Sequence, residues 1–197
     1  MLKRSFDFLA SLIGLILLCP LFVVIAIAVK ISSAGPVFFR QLRVGFAGKL
    51  FQIHKFRTMR IDAEKKGKLT IGKDSRVTRV GYFLRKTKLD ELPQLLNVLK
   101  GDMSLVGPRP EVPEFIEYYS PIAREKILSV RPGITDMASI EMVDENKILA
   151  EYENPHQAYI EKILPLKEKY YLYYVEKQSL WFDIYLIFKT FIKILTR

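Results

Sequence analysis

Two adjacent carboxylates, Asp90 and Glu91, lie in a stretch of the sequence that is otherwise rich in basic residues. Arg85, Lys86 and Lys88 come just before the pair. Carboxylates can hold a divalent cation or attack a phosphorus atom, and arginines neutralise charge on a transferring phosphoryl group. This combination of side chains predicts a site for phosphoryl transfer.

Further basic residues lie in segments whose backbone is restricted or rigid. They are Lys55, Arg57, Arg109 and Arg131. Arg109 lies between Pro108 and Pro110, which limit the backbone and pre-position the guanidinium. Because a guanidinium presents a fork that matches phosphate oxygens, these cations suit a site that handles phosphate groups.

The acid pair also has a purely structural interpretation. Thr87 and Asp90 have the spacing of a capping box, and acidic residues are favoured in the first turn of a helix. From Val77 to Leu99 the pattern predicts a helix, whose apolar face consists of Leu89, Leu92, Leu95, Leu96 and Leu99. The pair alone therefore does not separate a helix cap from an active site, and the surrounding cations favour the active site.

The composition implies an anionic partner. The chain has 197 residues and a net charge of +10, which fits nucleic acid, an anionic membrane surface or a phosphate-rich substrate. Its single cysteine excludes an internal disulfide, and its two histidines are far apart in sequence. A non-enzymatic basic membrane module that binds anionic lipid or nucleic acid is the competing hypothesis, but it does not explain two acids inside the basic set.

The N-terminal segment is apolar enough to enter a membrane. Residues 8–29 contain no charged side chain, and Pro20 divides them into halves of roughly 11 residues, each about 17 Å of helix against a hydrocarbon core of about 30 Å. Basic residues flank both ends, Lys3 and Arg4 on one side and Lys30 on the other. This favours a re-entrant helix–break–helix that enters and leaves on one face, with a single spanning helix as the alternative.

The C-terminal end predicts an amphipathic helix that lies in the membrane interface, with Ser179 as its cap. Lys189, Lys193 and Arg197 recur every four residues on one side. The remaining positions are apolar or aromatic: Trp181, Ile184, Tyr185, Phe188, Ile192 and Leu195. A core helix with a solvated lysine edge is the alternative.

The middle of the chain predicts short elements. The runs at 37–39 and 50–53 are β-prone and have Gly45 and Gly48 between them, which indicates a hairpin with a loop longer than two residues. Residues 105–110 predict a loop because of their two prolines and glycine. The sequence thus predicts a mainly α fold with a small β-hairpin: a re-entrant anchor at 1–34, a catalytic domain at 35–178 and an interfacial helix at 179–197.

Several motifs in a fixed order resemble one known family. They are Lys3, Arg4 and Asp7, the apolar segment with Pro20, GPVFFRQ at 35–41, KFRTM at 55–59, LDELPQLLNVLKGDMS at 89–104, VGPRP at 106–110 and RPGIT at 131–135. This set resembles the bacterial sugar transferases, the monotopic phosphoglycosyl transferases. The resemblance covers nearly the whole chain.

The resemblance implies an enzyme of the cytoplasmic face of the bacterial inner membrane. Such an enzyme moves a sugar 1-phosphate from a UDP-sugar to polyprenol (undecaprenyl) phosphate and releases UMP, as the first membrane step of glycoconjugate assembly. It implies Asp90 as the nucleophile that forms an aspartyl phosphosugar, and Glu91 as its partner in placing Mg²⁺ or handling a proton.

The resemblance also implies roles for the cations and for the anchor. Lys55, Arg85 and Arg109 match positions expected to contact phosphates, and Arg131 belongs to the same expected set. Lys3 and Arg4 would lie at the headgroup level, and Pro20 would break the anchor. The bilayer is then a partner and nucleic acid is not, while a monomer and a homodimer are equally compatible with the sequence.

One segment departs from the common pattern of the family. After residues 131–135 the chain continues Asp136, Met137, Ala138 and Ser139, where common members have a glycine and later a glutamine. The departure lies outside the Asp90 motif. It therefore bears on which sugar and nucleotide are held and not on the class of reaction, and the sequence does not identify the sugar.

Overall fold

The computed structural model describes residues 2–61, 63, 72, 74–142 and 145–196, with side chains for all of these except 146 and 147. The described chain is mainly helical and has a small antiparallel hairpin, as the sequence predicts. Arg197, the last member of the predicted basic stripe, lies outside the described residues.

Helix α1, Leu2–Ser32, contains the apolar N-terminal segment. It is long and apolar enough to cross a membrane, and most of its middle is exposed, including Ile16, Leu17 and Val24. The helical backbone continues through Pro20. The predicted break at Pro20 therefore does not interrupt the helix, and the question of one face or two depends on what holds the ends.

The beginning of α1 is fixed to the rest of the protein by polar contacts. Arg4 donates to the carbonyl oxygens of Val98 (2.7 Å) and Leu99 (3.1 Å) at the end of helix α3, Leu95–Lys100. Lys3 forms an ion pair with Asp183. The Asp7 carboxylate accepts hydrogen bonds from Ser104 and from the backbone of Leu105.

The end of α1 is fixed to the same domain. Ile25 and Val29 are buried against Phe56 and Leu84. The buried Arg57 guanidinium donates to three carbonyl oxygens there, those of Val29, Ser33 and Ala34. Both ends of the anchor are therefore held by one body of protein.

The predicted hairpin is confirmed. Strand β1, Phe38–Val44, pairs antiparallel with β2, Leu50–Phe56, with Gln41 opposite Ile53. The five-residue connection contains a short 3₁₀ turn, Phe46–Gly48. Ile53 and Phe56 of β2 are both buried but belong to different apolar clusters, because side chains three positions apart point to opposite faces of a strand. Lys55 shares the face of Ile53.

The predicted leucine-faced helix is in fact two helices and a 3₁₀ segment. Helix α2, Arg79–Lys86, is capped by Thr78, which accepts a hydrogen bond from the Gly81 backbone. Lys88 then adopts a left-handed conformation (φ 59°), which interrupts the helical backbone. The 3₁₀ helix Leu89–Gln94 and α3 follow. Pro93 has no N–H to donate and so also opposes a continuous α-helix.

The prediction of a loop at 105–110 is wrong for its first two residues. Strand β3, Ser104–Val106, pairs in parallel with β4, Gly133–Thr135. A Cβ on Gly107 would lie 2.3 Å from the Arg131 carbonyl oxygen, and one on Gly133 would lie 2.1 Å from the Gly107 nitrogen. The two glycines therefore allow a backbone approach that other residues would block.

The remaining helices form the main core of the domain. They are α4 (Pro113–Ile116), α5 (Pro121–Leu128), α6 (Met137–Glu141), α7 (Glu145–Ala150), α8 (Pro155–Ala158), a π-turn (Tyr159–Ile163) and α9 (Leu164–Lys177). Their apolar side chains pack around Phe115, Tyr159 and Tyr171. Val106 of β3, which precedes the Arg109 loop, packs in a separate cluster with Ile140, Tyr174 and Leu186.

The C-terminal helix α10, Leu180–Leu195, is confirmed, and Ser179 caps it by accepting from the Phe182 backbone (3.2 Å). One side packs through Leu186 on Val106 and Tyr174. The other side leaves Trp181, Phe188 and Leu195 more than 60% exposed. This unburied aromatic face is typical of a helix in a membrane interface.

Candidate active site

Asp90 and Glu91 lie in the first turn of the 3₁₀ helix Leu89–Gln94. The capping-box interpretation is wrong, because the Thr87 hydroxyl donates backwards to the Phe83 (2.9 Å) and Leu84 (3.2 Å) carbonyl oxygens and closes α2. The residue before the 3₁₀ helix is Lys88, whose side chain makes no cap. The acids therefore do not serve as caps.

Glu91 is held by two cations. Its Oε1 atom lies 2.7 Å from Lys55 Nζ and 2.6 Å from an Arg109 nitrogen, and its Oε2 lies 3.4 Å from the other Arg109 nitrogen. Burial would raise the pKa of Glu91, but the charges of Arg109 and Lys55 hold it well below its usual range. Glu91 is therefore a fixed anion.

Asp90 has the opposite environment. Among the described residues its carboxylate makes no hydrogen bond or ion pair, although Asp90 is buried and only 7% of its surface is exposed to solvent. Burial and then the charge of Glu91 raise the pKa of Asp90, while Lys55, Lys88 and Arg85 act against that shift. Two adjacent acids with pKa values displaced in opposite directions are typical of a site where each has its own role.

Lys55 reaches the site from β2. Burial lowers the pKa of Lys55 to about 8, since it outweighs the opposing effect of the Glu91 charge. The ammonium is therefore charged at neutral pH and titrates just above it.

Arg109 is carried by the short parallel pair. The Gly107 backbone donates to Thr135 (3.1 Å), and the Gly133 backbone donates to Pro108 (2.9 Å). Arg43 of β1 donates to the carbonyl oxygen of Pro110 (3.1 Å). The loop is thus held on both sides of Arg109, as the flanking prolines predict.

Arg85 lies in the last turn of α2, and its Nε donates to the Thr58 hydroxyl (2.9 Å). Burial lowers the pKa of Arg85, and the charge of Asp90 acts against that shift. Lys55, Arg85 and Arg109 therefore converge on the acid pair from three different elements, as the sequence analysis predicts.

Arg131 lies elsewhere. Its side chain is exposed, its Nε donates to the Gly101 carbonyl oxygen (2.8 Å), and its guanidinium lies 5.5 Å from the Phe46 ring centroid. The structure does not bring it to the acid pair. The restricted backbone that Arg131 shares with Arg109 therefore does not place both side chains in one site.

The residues predicted at the headgroup level have protein partners. Lys3 and Arg4 contact Asp183 and the end of α3, as described above, and Pro20 is exposed midway along α1. The contact of Lys3 and Arg4 with lipid headgroups stays a prediction.

A wide cleft of about 2430 Å³ opens over the acid pair. Both strands of the hairpin, α2, β4, α6 and the second half of α10 contribute to its wall. Sequence reasoning assigned no role to two of its polar residues, Thr58 and Lys167, although Thr58 lies in the KFRTM motif. It named the buried Asp136 only as part of the departure from the common family pattern and not as a site residue.

The acid pair is a candidate site for Mg²⁺. The described residues contain no group of three metal-ligating side chains. Mg²⁺ is commonly held by one or two carboxylates together with substrate phosphates and water. Asp90 has no competing partner among the described residues and Glu91 Oε2 has only the 3.4 Å contact, so the pair fits such an ion.

The chain is similar in sequence to a known family and to several characterised proteins. The family described as bacterial sugar transferase matches residues 1–197. A UDP-N-acetylgalactosamine-undecaprenyl-phosphate N-acetylgalactosaminephosphotransferase of Aeromonas hydrophila is 39% identical over 204 residues, 99% of this chain and 44% of that protein. A UDP-glucose:undecaprenyl-phosphate glucose-1-phosphate transferase of Escherichia coli (strain K12) is 40% identical over 197 residues, 98% of this chain and 40% of that protein.

This chain covers a larger share of a shorter relative. A UDP-glucose:undecaprenyl-phosphate glucose-1-phosphate transferase of Caulobacter vibrioides is 39% identical over 198 residues, 98% of this chain and 70% of that protein. The chain spans less than half the length of the first two relatives. Because the family match extends along the whole chain, the protein belongs to the bacterial sugar transferase family.

Proposed function

We propose that this chain transfers a sugar 1-phosphate from a UDP-sugar to polyprenol phosphate and releases UMP. The observation that carries the proposal is the asymmetry of the acid pair. Glu91 is neutralised by Lys55 and Arg109, whereas the adjacent Asp90 carboxylate has no partner within the described chain. Its relatives act on UDP-sugars and undecaprenyl phosphate by name, which supports the same substrate classes here.

In the first step an Asp90 oxygen attacks the sugar-bearing phosphorus. A bond forms between that oxygen and phosphorus, the bond from phosphorus to the bridging oxygen breaks, and UMP leaves with that oxygen. Arg85, Lys55 and Arg109 face the developing negative charge and hold the diphosphate in position. The elevated pKa of Asp90 makes its ionised form a stronger nucleophile than an ordinary aspartate.

In the second step an oxygen of polyprenol phosphate attacks the same phosphorus. The bond to Asp90 breaks and regenerates the carboxylate, and the product is a polyprenol diphosphate sugar. Mg²⁺ held by Asp90 and Glu91 would neutralise phosphate charge when bound. Glu91, fixed by its two cations, holds Lys55 and Arg109 in place through both steps.

The fold supports a location at a membrane surface. The acceptor is a lipid, and both the anchor α1 and the aromatic side of α10 expose apolar surface. We place the site at the cytoplasmic face of the bacterial inner membrane, because nucleotide sugars are cytoplasmic. Since one domain holds both ends of α1, the anchor is proposed to enter and leave on that face.

The direct test uses protein purified in detergent with undecaprenyl phosphate, Mg²⁺ and a panel of UDP-sugars. We expect release of UMP with at least one sugar, and loss of activity when EDTA removes the metal. Release of UDP instead would indicate transfer of the sugar without its phosphate and would contradict the proposal. Binding to anionic vesicles with no turnover of any nucleotide sugar would favour the non-enzymatic alternative.

Lys55 predicts the alkaline limb of the pH profile. Its ammonium is charged below about pH 8 and loses its charge as the pH rises through that value, so kcat/KM should fall above pH 8. In Lys55→Arg the cation stays charged, and the limb should move at least about one unit higher because arginine titrates above pH 12. An unchanged alkaline limb in Lys55→Arg would show that another group titrates.

The contacts at both ends of α1 predict the topology of the anchor. In a Cys19→Ser background, cysteines placed at the exposed positions Ser5 and Ala34 should both react with an impermeant maleimide from the cytoplasmic side only. A cysteine at Leu17, 72% exposed midway along α1, should stay unlabelled inside the bilayer. Labelling of the Ser5 position from the periplasmic side would establish a spanning helix.

A further inference from the structure

Asp136 is a buried carboxylate with one unused oxygen. Its Oδ1 accepts a hydrogen bond from the Ser139 backbone (2.8 Å) and so caps α6. Its Oδ2 is buried and has no hydrogen-bond partner within the described residues, and the whole residue is 1% exposed. The cap uses only half of the carboxylate.

An unpartnered buried carboxylate oxygen is unfavourable, because it loses its hydration without replacement. Serine, threonine and asparagine cap helices about as well as aspartate and would avoid this loss. The capping role therefore does not explain why an aspartate stands here.

Asp136 lies in the wall of the same cleft that Asp90, Glu91 and Arg109 line. The charge of Glu91, and to a lesser extent that of Asp136, raises the pKa of Arg109. Asp136 and Glu91 therefore act on the same guanidinium, which is the group proposed to receive the phosphate of the donor.

Other buried polar atoms of the domain also lack hydrogen-bond partners within the described part of the chain. Arg43 Nε and the hydroxyls of Tyr119 and Tyr171 are also buried without partners among the described residues. Burial, and after it the charge of Asp136, raises the pKa of Tyr171. Of these three residues, Arg43 lines the cleft together with Asp136, whereas Tyr119 and Tyr171 do not. A carboxylate and a guanidinium offer an acceptor and donors, which suits a ligand covered with hydroxyl groups.

We propose that Asp136 is a specificity-determining residue, whose Oδ2 accepts a hydrogen bond from a hydroxyl or amide N–H of the sugar in the UDP-sugar. The inference rests on the proposed function. The diphosphate diester of a UDP-sugar has no proton to donate at neutral pH and is repelled by a carboxylate, and a prenyl chain has no polar hydrogen. The sugar is bonded directly to the phosphate that Arg109 faces, and it stays bound after UMP has left.

Two variants separate this role from capping. Asp136→Ser keeps a capping oxygen but removes Oδ2. Asp136→Asn keeps Oδ1 and replaces the Oδ2 acceptor with an N–H donor. Both should cap α6 as well as the wild type does, so their unfolding temperatures should be similar, and having two variants protects the test if one fails to fold.

The readout is kcat/KM for UMP release with UDP-glucose, UDP-galactose and their N-acetylamino counterparts, alongside inhibition by UDP, which has no sugar. For the preferred sugar we expect a fall of about 10- to 100-fold, the loss of one hydrogen bond to a charged group. A sugar without the recognised donor should be affected far less, and inhibition by UDP should stay unchanged.

Three results would overturn the inference. Equal losses for every sugar and for UDP would place the contact on the nucleotide. Unchanged kcat/KM for every sugar would make Asp136 a helix cap whose second oxygen binds an internal water. Failure of the wild type to release UMP from any UDP-sugar would refute the proposed function itself, and this inference with it.

Discussion

Asp90→Asn is expected to reduce UMP release by at least about 10⁴-fold, the scale of loss found when a catalytic nucleophile is removed. The amide has nearly the same shape but cannot form a stable bond to phosphorus and lacks the negative charge. Asp90 makes no hydrogen bond or ion pair within the described chain, so the change should leave the fold intact. Thermal unfolding measured alongside UMP release would verify this.

The matched control is Asp102→Asn, the same chemical change at a carboxylate outside the cleft wall, which should keep near wild-type activity. A second measurement detects the adduct directly. With donor labelled in the sugar and no acceptor, label should appear on the tryptic peptide 89–100, which contains Asp90. An unlabelled peptide in an enzyme that still makes product would mean that Asp90 is not the nucleophile.

Arg109→Ala is expected to have the second largest effect. It removes a phosphate-facing cation, which should lower kcat/KM by roughly 10²- to 10³-fold. It also leaves the buried Glu91 with Lys55 alone, which should lower the free energy of unfolding by about 3 kcal/mol. Arg109→Lys keeps the charge but loses the fork, so an intermediate loss is expected.

Arg131→Ala is the matched control, since Arg131 has the same side chain beside a proline but lies outside the cleft wall. Its activity should stay within a few-fold of the wild type. A loss in Arg131→Ala as large as that in Arg109→Ala would show that Arg131 reaches the substrate.

The sequence identified the elements of the site better than the contacts within it. The convergence of Lys55, Arg85 and Arg109 on the acid pair follows the sequence prediction. The division of labour within the pair was not predictable, because it depends on ion pairs that join Glu91 to residues 36 and 18 positions away. Local patterns carry no information about such distant contacts.

Other errors have local causes. The left-handed Lys88 interrupts the predicted helix, and nothing in a lysine signals that conformation, which usually marks glycine or asparagine. Strands β3 and β4 contain only three residues each, too few to show a periodic pattern. Arg131 appeared equivalent to Arg109 because a proline restricts the backbone but does not determine which surface the side chain reaches.

The contacts that hold both ends of α1 to the domain have a consequence for handling the protein. A soluble fragment that begins at residue 35 would uncover Phe56 and Leu84 and deprive Arg57 of three acceptors. It would also remove the lysine that neutralises Asp183. Truncation would therefore remove part of the hydrophobic interior and not a detachable tether, so biochemistry on this protein calls for detergent, nanodiscs or polymer-extracted membrane.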